Sequence, residues 1–125
     1  MRYLIDTNCC IYLFNARYAG LRQRMAETDA GAIGLSVIVL AELALGARLG
    51  KAPDYARLDR LRQELPVVPF DEKDALAYAS LPFRRGRFDR LLAAHAVHRG
   101  LILITNNEED FADVPGLRIE NWVNP

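Results

Sequence analysis

Three carboxylates stand out by their surroundings. Glu42 lies inside the run Val37-Ile38-Val39-Leu40-Ala41-Glu42-Leu43-Ala44-Leu45, where a charged side chain has almost no polar face to occupy. Burying an unpaired carboxylate is costly, so Glu42 needs a cation, a metal or a proton. The plainer alternatives are a narrow exposed stripe or a pair with Arg48. Asp6 ends the apolar run Tyr3-Leu4-Ile5, and Asp89 opens a second one, Leu91-Leu92-Ala93-Ala94-His95-Ala96-Val97. Either of these two also suits an ordinary helix cap. Brought together, the three would repel one another and raise at least one pKa unless a divalent cation neutralised them. Hard oxygen donors without Cys or His partners suit Mg²⁺, or Mn²⁺, rather than zinc.

Arg84, Arg85, Arg87 and Arg90 flank Asp89 and are interleaved with Phe83 and Phe88. Guanidinium groups bind phosphate in bidentate fashion and aromatic rings stack on bases, so this cluster is a candidate RNA contact; a solvated turn beside core aromatics is the simpler reading. The 16 basic and 16 acidic side chains cancel, which removes any global field for a polyanion and leaves only local clusters to attract one. His95 and His98 stand three apart without the spacing of a zinc site and read as ordinary helix residues. Cys9 and Cys10 are adjacent, which suits small apolar side chains in a reducing compartment better than a disulfide framework.

The elements that must position these groups follow from periodicity. Residues 3–5 read as a strand, Asp6-Thr7-Asn8 as a turn with capping residues, and 9–14 as a helix. An amphipathic helix is expected over 19–27 and a short strand over 33–35, with Ser36 capping a helix that runs towards Gly50. Tyr55, Leu58, Leu61 and Leu65 form a helical stripe ended by Pro66. Val67-Val68 is extended, and Asp71 caps a helix over 72–79. Asp89 opens a helix closed by Gly100, and strands follow over 101–104 and 117–119.

Strands alternating with helices predict an α/β fold with a mostly parallel central sheet covered by helices on both faces. Ligands of such sheets bind beyond the carboxyl ends of the strands, where Asp6 and Thr105-Asn106-Asn107 fall. A hydrophobic content of 51% over 125 residues suffices for one core, so a single domain over 1–125 is expected. The longest apolar stretch, 32–47, contains Glu42 and is shorter than the ~20 residues a membrane span needs. The N-terminus meets a charge before any signal-like apolar region. A cytoplasmic protein without membrane contact is the expectation.

Four pieces in order carry a family resemblance: Leu4-Ile5-Asp6-Thr7-Asn8; Leu35-Ser36-Val37 through Leu40-Ala41-Glu42-Leu43 with Gly46; Phe88-Asp89-Arg90-Leu91-Leu92-Ala93-Ala94-His95-Ala96; and Ile104-Thr105-Asn106-Asn107 with Asp110-Phe111 and the tail around Trp122. Together they resemble the PIN-domain nucleases, in particular the VapC toxins of bacterial toxin-antitoxin pairs. The resemblance implies a PIN-like fold in which Asp6, Glu42 and Asp89 bind the metal. A fourth acid often follows the Thr-Asn pair in that family. Here Asn107 stands at that place and Asp110 comes three residues later, so the fourth position is open between Asp110 as a substitute and Asn107 as a holder of water. The segment before Asp89 is also shorter than in many relatives.

On this reading Thr7, Asn8, Thr105 and Asn107 orient carboxylates and waters around an Mg²⁺-dependent endoribonuclease site. Activated water attacks RNA in line and leaves 5′-phosphate and 3′-hydroxyl ends. The resemblance further implies a VapB-type antitoxin that blocks the acidic pocket, a homodimer, and a higher toxin-antitoxin assembly. Two rivals stand beside it. Asn107 suggests a catalytically inactive PIN module that binds RNA or a protein partner. The strand-end Asp6 suggests a phosphoacceptor domain, against which neither Lys51 nor Lys73 reaches a strand end.

Overall fold

Tyr3–Ile5 forms β1, and its three consecutive residues are all buried. Successive strand side chains point to opposite faces, so β1 is covered on both. The same holds for β2, Ile33–Ser36. The computed structural model describes residues 1–82 and 88–124. Within them the strands β1, β2, β3 (Val67–Val68), β4 (Ile102–Ile104) and β5 (Ile119–Glu120) lie in the order β3-β2-β1-β4-β5. Every neighbouring pair is parallel, with Tyr3 opposite both Ile33 and Ile102. The mostly parallel α/β sheet flanked by helices expected from the sequence is present.

The crossovers supply the flanking layers: α1 (Thr7–Tyr12), α2 (Ala19–Ala26), α3 (Val37–Arg48), α4 (Tyr55–Glu64), α5 (Glu72–Tyr78), α6 (Phe88–Arg99) and the short α7 (Glu108–Phe111). Their starts obey local capping chemistry. Asp6, Ser36, Asp54 and Asp71 cap α1, α3, α4 and α5 through their side chains. Gly100 follows α6 at φ +65°, the left-handed conformation of a C′ glycine. Gly34 in β2 answers a different demand, since a Cβ there would stand 2.6 Å from the Val68 side chain on β3.

One buried apolar cluster joins the strands to Leu21 of α2, Val39 and Leu43 of α3, Leu58 and Leu61 of α4, and Leu92, Ala93 and Ala96 of α6. Three sequence expectations need correction. Tyr55, the first residue of α4, is 55% exposed, and the buried stripe of that helix starts at Leu58. Asp89 does not cap α6; that helix already begins at Phe88, and Asp89 lies within its first turn. The last strand is displaced from 117–119 to Ile119–Glu120. No helix among the described residues is long and apolar enough to cross a membrane.

Candidate active site

The connections leaving β1 and β4 run to opposite sides of the sheet, so the carboxyl ends of these adjacent strands form its topological switch point, the usual ligand crevice of open α/β sheets. Asp6 stands there. Its backbone N–H donates to the Ile104 carbonyl across 3.0 Å, which extends the β1–β4 ladder by one residue and fixes the side chain's origin. One carboxylate oxygen accepts from the Cys9 backbone N–H at 2.8 Å; the other accepts from the Thr105 hydroxyl. Asp6 is only 5% exposed, and burial raises its pKa despite the opposing pull of these two donors. The two carboxylate oxygens thus have separate partners, one capping α1 and the other taken by Thr105.

Thr105 passes the connection on. Its hydroxyl accepts from the Asn107 backbone N–H at 3.0 Å, and the Asn107 side-chain amide donates to Asp110 at 2.6 Å. A continuous chain of hydrogen bonds thus runs Asp6–Thr105–Asn107–Asp110 along the carboxyl edge of β4. Asn107 thus donates to the acid three residues further on.

Glu42 arrives from α3 and is half-buried. Its carboxylate accepts from the Thr7 hydroxyl at 2.8 Å, so its partner is α1 and not Arg48. Burial raises its pKa; the Thr7 donor lowers it, and the charges of Asp89 and Asp6 raise it again. The charges of Asp6 and Asp89 therefore both bear on Glu42. Asp89 is half-buried on α6, and Asn8 is exposed beside Thr7.

The donor chemistry fits a hard divalent cation: carboxylate oxygens, with burial penalising the charged forms of Asp6 and Glu42 and the charges of Asp89 and Asp6 adding to the penalty at Glu42. Among the described residues, however, no three or more His, Cys, Asp or Glu side chains are arranged to hold one ion. Both cysteines are buried and free of disulfide. Burial and the Asp6 charge push their thiols up and favour the protonated form.

The basic cluster is revised. Arg90 is 3% exposed and does not face solvent. Its guanidinium forks onto both Asp113 oxygens at 3.0 and 3.2 Å and onto the Pro82 and Asp110 carbonyls. With its donors committed inside the protein it cannot hold an RNA backbone; it ties α6 to the segment after α7. Arg84, Arg85 and Arg87 lie outside the described residues.

A buried polar group that the sequence did not single out lies behind the site. Ser36 bonds His95 at 2.9 Å, His95 bonds the Pro69 carbonyl at 2.9 Å, and Asp74 pairs with Arg99 at 2.9 Å. Asp74 could have been found, since Asp71 and Asp74 have the spacing of a capping box and form one. The Ser36–His95 bond spans 59 positions and has no local signal. His98 is exposed.

The PIN domain model matches residues 3–117. This chain belongs to the PIN-domain family. Within it the relatives are VapC-type toxins. The chain is 32% identical to the tRNA(fMet)-specific endonuclease VapC of Shigella flexneri over 131 residues, covering 98% of each chain. It is likewise 32% identical to ribonuclease VapC2 of Rickettsia felis over 134 residues, again covering 98% of each. Among solved structures, VapBC2 of Rickettsia felis bound to a promoter DNA fragment superposes with a TM-score of 0.84 at 30% identity, covering 98% of this chain and 99% of that one. DNA-bound VapBC of Salmonella typhimurium gives 0.82 at 28% identity, covering 98% of both. The Shigella and Rickettsia relatives are an endonuclease and a ribonuclease, and a further solved relative, from Klebsiella pneumoniae, is a toxin-antitoxin complex that gives a TM-score of 0.72 at 26% identity, covering 96% of this chain and 97% of that one.

Proposed function

We propose that this PIN-domain protein is an Mg²⁺-dependent endoribonuclease toxin, with Mn²⁺ as an alternative ion, neutralised by a VapB-type antitoxin. The observation that carries the reading is Asp6 at the switch point, aimed by Thr105 and the Cys9 N–H, with the charges of Asp6 and Asp89 converging on Glu42. Asp6, Glu42 and Asp89 would hold the ion, with Asp110, restrained by Asn107, as the candidate further acid. A divalent cation, when bound, neutralises these acids, supplies positive charge to a phosphodiester and makes water more acidic.

The protein's own share is orientation. Thr105 and Cys9 direct the two Asp6 oxygens, and Thr7 directs Glu42. Because each hydroxyl donates, it favours the ionised carboxylate that a cation requires. Exposed Asn8 stands at the mouth to meet substrate or water, and Arg84, Arg85 and Arg87 contact the RNA backbone. The tRNA(fMet) specificity of the Shigella relative makes transfer RNA the first substrate to test.

Purified protein incubated with transfer RNA and Mg²⁺ or Mn²⁺, with Asp6→Asn as control and end-mapping of fragments, tests the reading. Cleavage by the parent alone, leaving 5′-phosphate and 3′-hydroxyl ends, supports it. Cyclic 2′,3′-phosphates would indicate attack by the ribose and overturn the hydrolytic scheme. RNA binding without cleavage would favour the binding-only module. The solved VapBC relatives support an antitoxin partner; a toxin homodimer within a toxin-antitoxin assembly is part of the same proposal. Co-purification with the small protein encoded beside it, together with light scattering, tests both.

A further inference from the structure

Glu42 and Asp89 sit on different helices, and their spacing must be held by something other than their own mutually repelling charges. The helices carrying them meet at one buried hydrogen bond. Ser36, the N-cap of α3, bonds Nδ1 of His95 on α6 at 2.9 Å, with both side chains fully buried. Ser36 precedes Glu42 by six positions, and His95 follows Asp89 by six. On helices rising ~1.5 Å per residue, each carboxylate stands on the order of 9 Å from the bond.

The partners fix the chemistry of that bond. His95 Nε2 faces the Pro69 carbonyl at 2.9 Å, an acceptor only, so Nε2 carries the proton and Nδ1 must accept. Ser36 therefore donates its hydroxyl proton to His95 while its oxygen accepts from the Ile38 N–H at 3.1 Å, holding the first turn of α3. A neutral, Nε2-protonated imidazole satisfies every group. Asp74 on α5 stands 3.8 Å from Nε2, and Arg99 on α6 bonds both Asp74 and the Pro69 carbonyl at 2.9 Å.

We infer that His95 is a positioning residue: through Ser36 it staples α3 to α6 and so sets the separation of Glu42 from Asp89. This rests on the proposed nuclease reading for its activity consequence but not for its geometry. Loss of the bond leaves both carboxylates present and the helices free to shift by a fraction of an ångström, the scale on which catalysis depends.

Two substitutions divide the imidazole's roles. His95→Asn places an amide oxygen near the Nδ1 position, keeping an acceptor for Ser36 and giving up Pro69. His95→Gln reaches Pro69 with its amide nitrogen and leaves Ser36 without its acceptor. The separation of α3 and α6 is read from nitroxide labels on Leu45→Cys and His98→Cys, both at exposed positions, in the full chain. Cleavage is measured per folded molecule.

The expected result is that His95→Gln and Ser36→Ala each shift or broaden the label distance and lower kcat by about 10- to 100-fold with little change in KM, without adding in the double variant, while His95→Asn keeps both readouts near the parent. If His95→Gln fails to fold, Ser36→Ala removes the same bond from the other side. Unchanged distances and unchanged cleavage in a variant whose Tm alone falls would overturn the staple, as would equal losses for Asn and Gln. If the parent cleaves nothing but the distances shift as described, the nuclease reading fails and the staple stands.

Discussion

The Thr7 hydroxyl donates to Glu42 across 2.8 Å, joining the first turn of α1 to the middle of α3. The bond turns an anomalous charge in an apolar helix into an oriented one. It also sets a measurable expectation. Thr7→Val removes the donor at similar volume, and kcat should fall by about 10-fold or more, as for other partners that orient ligands. Stability should fall by only about 1 kcal/mol. Thr7→Ser should restore the rate, and steady-state cleavage with parallel thermal melts checks all three.

Asp6→Asn separates folding from activity. The amide oxygen can still accept from the Cys9 N–H, so the cap on α1 survives. Burial raises the Asp6 pKa, which means the ionised form is the one the folded protein disfavours. The neutral amide relieves that penalty above the native pKa. Cleavage should drop by more than the roughly 100-fold upper end seen for outer partners of metal ligands, while Tm at neutral pH holds or rises. A lower Tm at pH 7 would contradict the assigned electrostatics.

The sequence exposes the parts of this site whose cause is local. Asp6 is readable because strand, cap and helix follow within a few residues, and Glu42 because its neighbours are apolar. What joins them is not local: Thr105 meets Asp6 from 99 positions away, and Ser36 meets His95 from 59. Strand order places those pairs, and residue type alone does not determine it. Arg90 illustrates the same limit from the other direction. Four neighbouring arginines look alike in sequence, and Asp113, 23 positions later, decides that this one is drawn inside.

For Arg90 the expectation is therefore structural. Removing one member of a buried ion pair costs several kcal/mol, but Asp113 retains 31% exposure and water replaces part of the loss. Arg90→Ala should destabilise by about 3 kcal/mol and lower Tm by about 10 °C. Arg90→Lys should recover only part, since an ammonium cannot form the fork on Asp113. RNA affinity of the folded fraction should be unchanged at fixed salt. A uniform loss of affinity with Tm intact would return Arg90 to the RNA surface.

The network behind the site predicts acid sensitivity with a definite sign. Burial lowers the His95 pKa below its ordinary value of 6.5, outweighing the Asp74 charge on α5, the Pro69 hydrogen bond and the charge of the cap residue Asp71, with Arg99 acting in the same direction as burial. A histidine that resists protonation when folded contributes stability fully present above 6.5 and lost as pH falls from there towards its native pKa. Asp74 adds a second stage. Burial alone would raise its pKa, but the Arg99 hydrogen bond, the Asp71 N–H and the nearby charges hold it below 3.8, so its contribution is lost at still lower pH. Asp6 and Glu42, both raised, act oppositely and gain stability on protonation. The His95 part is isolated by comparing chains that differ only there. Between pH 7.5 and 5.5 the parent should lose up to about 1.4 kcal/mol per unit once below the ordinary histidine value, and His95→Asn should lack that component. Denaturant midpoints at both pH values measure the difference, and parallel curves for the two proteins would remove His95 as its source.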